Sequence, residues 1–173
     1  SCLPKDTTAL IALARNKNVE TPLLDAVAAV NAERPGAIIR RVAALCGSLT
    51  GKNVAVLGLS FKAETDDVRE SPALKIIEQC LAAGARVNAH DPRAETNARM
   101  HLNSSVRYCD DIYDTAVDCD AVIIATEWGE YRQLDYGKLR RVMRDHVFFD
   151  ARGITRGSDV RHHGFTYGSV NGP

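Results

Sequence analysis

From Asn53 onward the chain alternates short, continuous apolar runs with segments whose apolar residues recur every three or four positions. The runs NVAVLGL (53–59), ARVNAHDP (85–92), VRYC (106–109), DAVIIAT (120–126) and HVFFDAR (146–152) have strand length, and the first and the last two show little polar alternation, as expected of strands covered on both faces. Between the first two, Ser71 to Ala83 predicts a helix with a serine cap, Pro72 at its first position and Gly84 as its stop. DIYDTAVDC and LDYGKLRRVM predict two more. Ligands of such alternating sheets bind beyond the carboxyl ends of the strands. Those ends are Gly58 to Lys62, Asp91, Thr126 to Trp128 and Asp150 to Arg152.

The first fifty residues have a different pattern. Thr7 to Leu13 has helical spacing and meets a polar break at Arg15 to Asn18. Thr21 and Pro22 then read as a cap and a first-turn proline, and Leu23, Leu24, Val27 and Val30 recur along a second helix. Pro35 and Gly36 are expected to interrupt or kink it before Ile38, Ile39, Val42 and Leu45 resume the pattern as far as Gly47. The predicted fold is therefore α/β: a bent helical connector, residues 1–48, followed by a doubly wound, mainly parallel Rossmann-like sheet, residues 49–173.

At 173 residues with 45% apolar content, the chain is long enough to bury a core. Lys and Arg number 22 and so do Asp and Glu, which leaves no overall field to draw it to nucleic acid or an anionic membrane. No apolar run approaches membrane-spanning length. Five cysteines without CxxC or Cys/His spacing argue against a disulfide framework or a metal site, and point to reduced thiols and a cytoplasmic protein. The missing initiator Met and the polar first turn point to a piece of a longer polypeptide.

Three stretches carry candidate chemistry. In SCLPKD, Cys2 has Lys5 and Asp6 one helical turn away, and a nearby cation favours thiolate; alternatively Cys2 is a small buried hydrophobe. In GLSFKAETDDVRESP the glycine cradle of a dinucleotide fingerprint is absent, because Gly58 is followed by Leu-Ser-Phe-Lys-Ala. Lys62 and Arg69 are either anion binders or partners of the neighbouring Glu64, Asp66, Asp67 and Glu70. Arg152, past the last apolar run, is either a ligand contact or a structural cation.

Taken together these stretches resemble the nucleotide-sugar dehydrogenases of the UDP-glucose/GDP-mannose dehydrogenase family. SCLPKD is similar to the family's GGSC(L/F)PKD segment without its leading glycines. The second stretch is similar to its G-(L/F/A)-(S/A)-F-K-x-x-T-x-D-x-R-x-S segment, and DP (91–92), ATEW (125–128) and FDAR (149–152) follow in family order. The resemblance covers essentially the whole chain.

It implies oxidation of a nucleotide sugar's C6 alcohol to a carboxylate with two NAD in succession, by way of a thiohemiacetal and a thioester on Cys2. Cys2, Lys5 and Asp6 would be catalytic, and Phe61, Lys62 and Arg152 would bind the nucleotide sugar. Cys2, Lys5 and Arg69 would contact NAD. TEWxEY and FDAR favour UDP-glucose as the substrate over GDP-mannose or UDP-N-acetylmannosamine. The resemblance also implies a homodimer through the central helix. This chain would then be the C-terminal part of such an enzyme, inactive alone because the glycine-rich NAD site lies outside it. A UDP-sugar-binding module without redox activity is the alternative from another class. Two departures stand out: VNAERPG carries Pro35 and Gly36 where relatives read VNxxQ, and GFTYGSVNGP lacks an Arg that relatives carry.

Overall fold

The structure, a computed structural model, describes residues 2–102 and 105–172, with side chains from Lys5 onward. Two helices come first, α1 (Cys2–Asn16) and α2 (Pro22–Cys46). There follow β1 (Asn53–Leu57), α3 (Pro72–Ala82), β2 (Arg86–His90), α4 (Glu95–Arg99), β3 (Val106–Tyr108), α5 (Ile112–Ala116) and β4 (Ala121–Ile124). A 3-10 turn (Gly129–Arg132), α6 (Tyr136–Val142), β5 (Val147–Asp150), α7 (Gly157–His162) and β6 (Thr166–Ser169) complete the order.

All six strands are parallel, in the order β3-β2-β1-β4-β5-β6. The chain steps outward from β1 to β3, crosses back to β4 and continues to β6, so its direction reverses between β1 and β4. That reversal opens a crevice at the carboxyl edge, where open α/β sheets bind ligands. Leu57 of β1 is level with His90 of β2 and Ile124 of β4, which brings three strand ends to one place.

Successive side chains of a strand point to opposite faces, and both faces are covered. Val54, Val56, Ile123 and Phe149 face one way and pack with Ile38, Ile39 and Val42 of α2 and Ile76, Ile77 and Cys80 of α3. Ala55, Leu57, Val122, Ile124 and Phe148 face the other way, against Tyr131, Leu139 and Val160. Each fully buried Ile or Phe here contributes roughly 1.5–3 kcal/mol of transfer free energy. This double cover explains why β1, β4 and β5 read as nearly unbroken apolar runs.

Three sequence expectations change. The sheet gains β6, which the pattern leaves unread because TYGS is short and exposes Thr166. β6 needs a small residue at Gly168: a Cβ there would lie 2.9 Å from Leu45 Cδ1 and 3.0 Å from Phe149 Cδ2. The second change is in α2, which is not interrupted but runs through Pro35 and Gly36 to an αL Gly47 with φ 75°. Pro35 has no N–H to give the Asn31 carbonyl, at a cost of about 3 kcal/mol in a helix interior. Burial of Pro35 itself and of Ile38, Ile39 and Val42 just beyond it offsets that loss. At the start of α2, Thr21 caps no backbone group; its hydroxyl donates to Asp25 Oδ2 at 3.1 Å.

The two halves of α2 differ. The second half is core, whereas Leu23, Val27 and Val30 in the first half stay exposed, as do Leu10 and Leu13 of α1. Among the described residues no helix is long and apolar enough to cross a membrane.

Candidate functional site

The loop leaving β1 is tied down from three sides before it reaches Phe61. Gly58 has φ +100° and donates its N–H to His90 O at 2.8 Å. A Cβ on it would lie 2.4 Å from Thr126 Cβ, so the ends of β1 and β4 touch there. Thr126 Oγ1 donates to Ser60 O at 2.7 Å, and Ser71 Oγ donates to Leu59 O at 2.7 Å.

Asp91, buried at the end of β2, is the common acceptor. Its Oδ2 accepts from Leu59 N, Ser60 N, Ser60 Oγ and the Trp128 indole N–H at 2.7–3.1 Å. Its Oδ1 accepts from Arg93 N at 2.9 Å and Ala94 N at 2.8 Å. Burial pushes the Asp91 carboxyl up, but the backbone N–H groups of Leu59, Ser60, Arg93 and Ala94 outweigh it and the net shift is downward. One ionised carboxylate thus joins the loops after β1 and β2 to the segment after β4.

Beyond that base, Phe61 and Lys62 face a cleft of about 870 Å³, the size of a nucleotide-scale site. Its opposite wall is helical. Ala28, Asn31, Ala32 and Pro35 supply it with the i, i+3, i+4, i+7 spacing of a single helix face, and Thr7 and Thr8 of α1 close one end. The acids on this rim are matched: Lys75 pairs with Glu70 at 3.2 Å, and Arg69 grips Asp67 with two bonds of 2.9 Å. That grip holds the Asp67 carboxyl at about 2. Lys62 and Arg34, which also line the cleft, have no ion-pair partner among the described residues. The cleft therefore presents an aromatic ring and two uncompensated cations, a combination suited to an anionic, planar ligand.

Of the residues singled out in the sequence, Phe61 and Lys62 lie in this cleft. Cys2 is the first residue of α1, and its side chain lies outside the described residues. Lys5 and Asp6 are exposed on α1 next to Thr7 and Thr8, and neither lines the cleft. Arg69 is outside it too, paired with Asp67. Arg152 is also outside the cleft. It stands past the end of β5, where its guanidinium pairs with Glu127. Sequence reasoning missed Arg34, whose place three residues after Asn31 was its only signal, and Glu127, whose pairing had none.

The described residues do not form a dinucleotide site of the Rossmann kind. The N-terminus of α3 carries Pro72, and Ser71 Oγ already accepts from Ala73 N at 3.2 Å, so no row of free N–H groups faces a pyrophosphate. Among the described residues no cluster of His, Cys, Asp and Glu would hold a metal ion.

The model of the UDP-glucose/GDP-mannose dehydrogenase family, UDP binding domain, matches residues 55–157, more than half of the chain. The chain belongs to that family. Its matched region holds Phe61, Lys62, Asp91, Glu127 and Arg152. A UDP-glucose 6-dehydrogenase from Rhizobium meliloti is 41% identical over 100% of this chain, SCLPKD included, and 40% of its own length is matched. The chain thus spans about 40% of the length of that relative. A solved UDP-glucose dehydrogenase from Pyrobaculum islandicum superposes with TM-score 0.80 at 40% identity, covering 89% of this chain and 34% of that one. An NDP-N-acetyl-D-galactosaminuronic acid dehydrogenase from Methanosarcina mazei shares the fold, with TM-score 0.85 at 24% identity over 98% of this chain and 37% of that one.

Proposed function

We propose that the chain is the nucleotide-sugar end of a cytoplasmic, NAD-dependent dehydrogenase that oxidises UDP-glucose to UDP-glucuronate. The observation that supports this reading is the shared cleft: α1, which starts at Cys2, contributes Thr7 and Thr8 to the cavity that Phe61 and Lys62 line. The helix that begins at Cys2 and the loop that carries Lys62, far apart in sequence, border one space.

In this reading Cys2 thiolate adds to the aldehyde-level intermediate, and the carbonyl electron pair moves onto oxygen. Lys5 stabilises that oxyanion, which is what enables carbon to release hydride. The resulting thioester is hydrolysed by a water that Asp6 helps activate, freeing the Cys2 thiolate and the carboxylate product. Phe61 and Lys62 hold the sugar nucleotide, Arg152 its nucleotide end, and Arg69 the phosphates of NAD. NAD, held mainly outside this chain, would supply the hydride acceptor. Residues 1–48 end a helical region whose uncovered Leu23, Val27 and Val30 suit a homodimer, and residues 49–173 form the nucleotide-sugar domain.

Two measurements test the reading. In the protein at its full natural length, UDP-glucose should slow alkylation of Cys2; labelling at an unchanged rate with saturating UDP-glucose would remove the shared site. The 173-residue chain alone should form no NADH from UDP-glucose and NAD, because its described residues form no dinucleotide cradle. The same lack favours a second reading for the isolated chain, a UDP-sugar-binding module without redox activity, which calorimetry with UDP detects directly.

A further inference from the structure

β4 and β5 are neighbours, and each is followed by one charged residue: Glu127 two positions beyond Ala125 and Arg152 two beyond Asp150. Both main chains are fixed. Glu127 lies between Thr126, whose hydroxyl is bonded to Ser60, and Trp128, whose indole N–H reaches Ser60 Oγ at 3.0 Å and Asp91 Oδ2 at 3.1 Å. Asp150, fully buried, accepts from Arg152 N at 2.9 Å, Gly153 N at 2.7 Å, and the N–H and hydroxyl of Thr155 at 2.7 Å each. Between these anchors the two side chains meet, 31% and 29% exposed. The guanidinium lies against Glu127 Oε2, a buried oxygen that accepts no aligned hydrogen bond from the described residues. The pair is held by charge rather than by the parallel two-bond fit that an Arg and a carboxylate can reach.

We propose that Glu127 is a resident counter-ion of Arg152, which the pyrophosphate of the nucleotide sugar displaces. This rests on the reading that Arg152 binds the nucleotide end of the substrate. A guanidinium without a partner at a strand end would capture any small anion. With Glu127 beside it, only a ligand that brings more than one negative charge competes well, so the carboxylate sets a threshold that favours a pyrophosphate over small monoanions such as chloride or acetate. Glu127 thereby acts on specificity through Arg152, as a positioning residue. Both partners keep part of their surface in water, which leaves the pair open to exchange.

The test is calorimetry of UDP and of uridine with the protein at its full natural length. Glu127→Gln should bind UDP about tenfold more tightly, the effect of removing one like charge from a partly solvated site. Its uridine affinity should not change, because uridine carries no phosphate; a merely structural role would move both. Glu127→Asp, which restores the charge, should return UDP affinity to within about twofold of the parent. Thermal unfolding checks that each variant folds, and Glu127→Ala carries the same expectation if the Gln variant does not. Arg152→Gln should weaken UDP. If it does, yet Glu127→Gln and Glu127→Ala leave UDP affinity unchanged or lower, the counter-ion role is wrong and the Arg152 assignment stands. If Arg152→Gln leaves UDP affinity unchanged, the Arg152 assignment fails and takes the proposal with it.

Discussion

Replacing Asp91 by Asn should cost about 3 kcal/mol of folding stability, read as a lower urea midpoint at unchanged slope. The two oxygens of Asp91 both face donors, with Leu59 N, Ser60 N and the Trp128 indole on one side and Arg93 N and Ala94 N on the other. An amide must turn its NH2 toward one of those groups, leaving buried donors opposed and unsatisfied. The pH dependence follows from the sign of the shift. Because the folded-state carboxyl lies below its ordinary value, the unfolded chain takes up a proton first as pH falls. The stabilisation from Asp91 is therefore complete above about pH 5 and lost as pH drops through the unfolded value near 4 toward the lower folded one. The Asn variant should lack that share of the acid limb. An unaltered midpoint at pH 7 would show that the three loops are held by something else.

Gly58→Ala should be as damaging, at roughly 3 kcal/mol or more, since strain at positive φ and overpacking act together. The added methyl would meet Thr126 Cβ at 2.4 Å and Thr126 N at 2.7 Å. Truncating the partner as Thr126→Gly removes the first clash and leaves the second, because a backbone nitrogen cannot be cut back. The double variant should recover only part of the loss by thermal unfolding. Full recovery would mean that the main chains of β1 and β4 are free to separate. The displaced loop carries Phe61 and Lys62, so UDP affinity should fall in the single variant as well.

How much of this was legible in the sequence follows from how local each cause is. The strands β1, β4 and β5 were readable because double cover makes nearly every side chain apolar, β2 because Val87 and Ala89 stand between Gly84 and Asp91-Pro92, and α3 because Ser71, Pro72 and Gly84 act within a few residues. β6 was not readable, since a buried Gly168 under Leu45 and Phe149 is a demand made by distant packing. Pro35 suggested a break that does not occur for a related reason: its local penalty is real, and burial along α2 keeps the helix continuous. At the site, the grip of Arg69 on Asp67 was visible as an alternative because the two stand two residues apart. The contact of Arg152 with Glu127 was invisible, being made only when β5 lies beside β4. Phe61 and Lys62 were placed by motif, whereas the helical wall facing them appears only once α2 folds back over the loop.

Burial pushes the thiols of Cys46, Cys80 and Cys119 up to about 11, 12 and 12, and raises that of Cys109. At neutral pH all four are almost entirely protonated and slow to react. A dye or spin probe can therefore be directed to a cysteine introduced on the surface with little competition from these four, and none of them need be engineered away first.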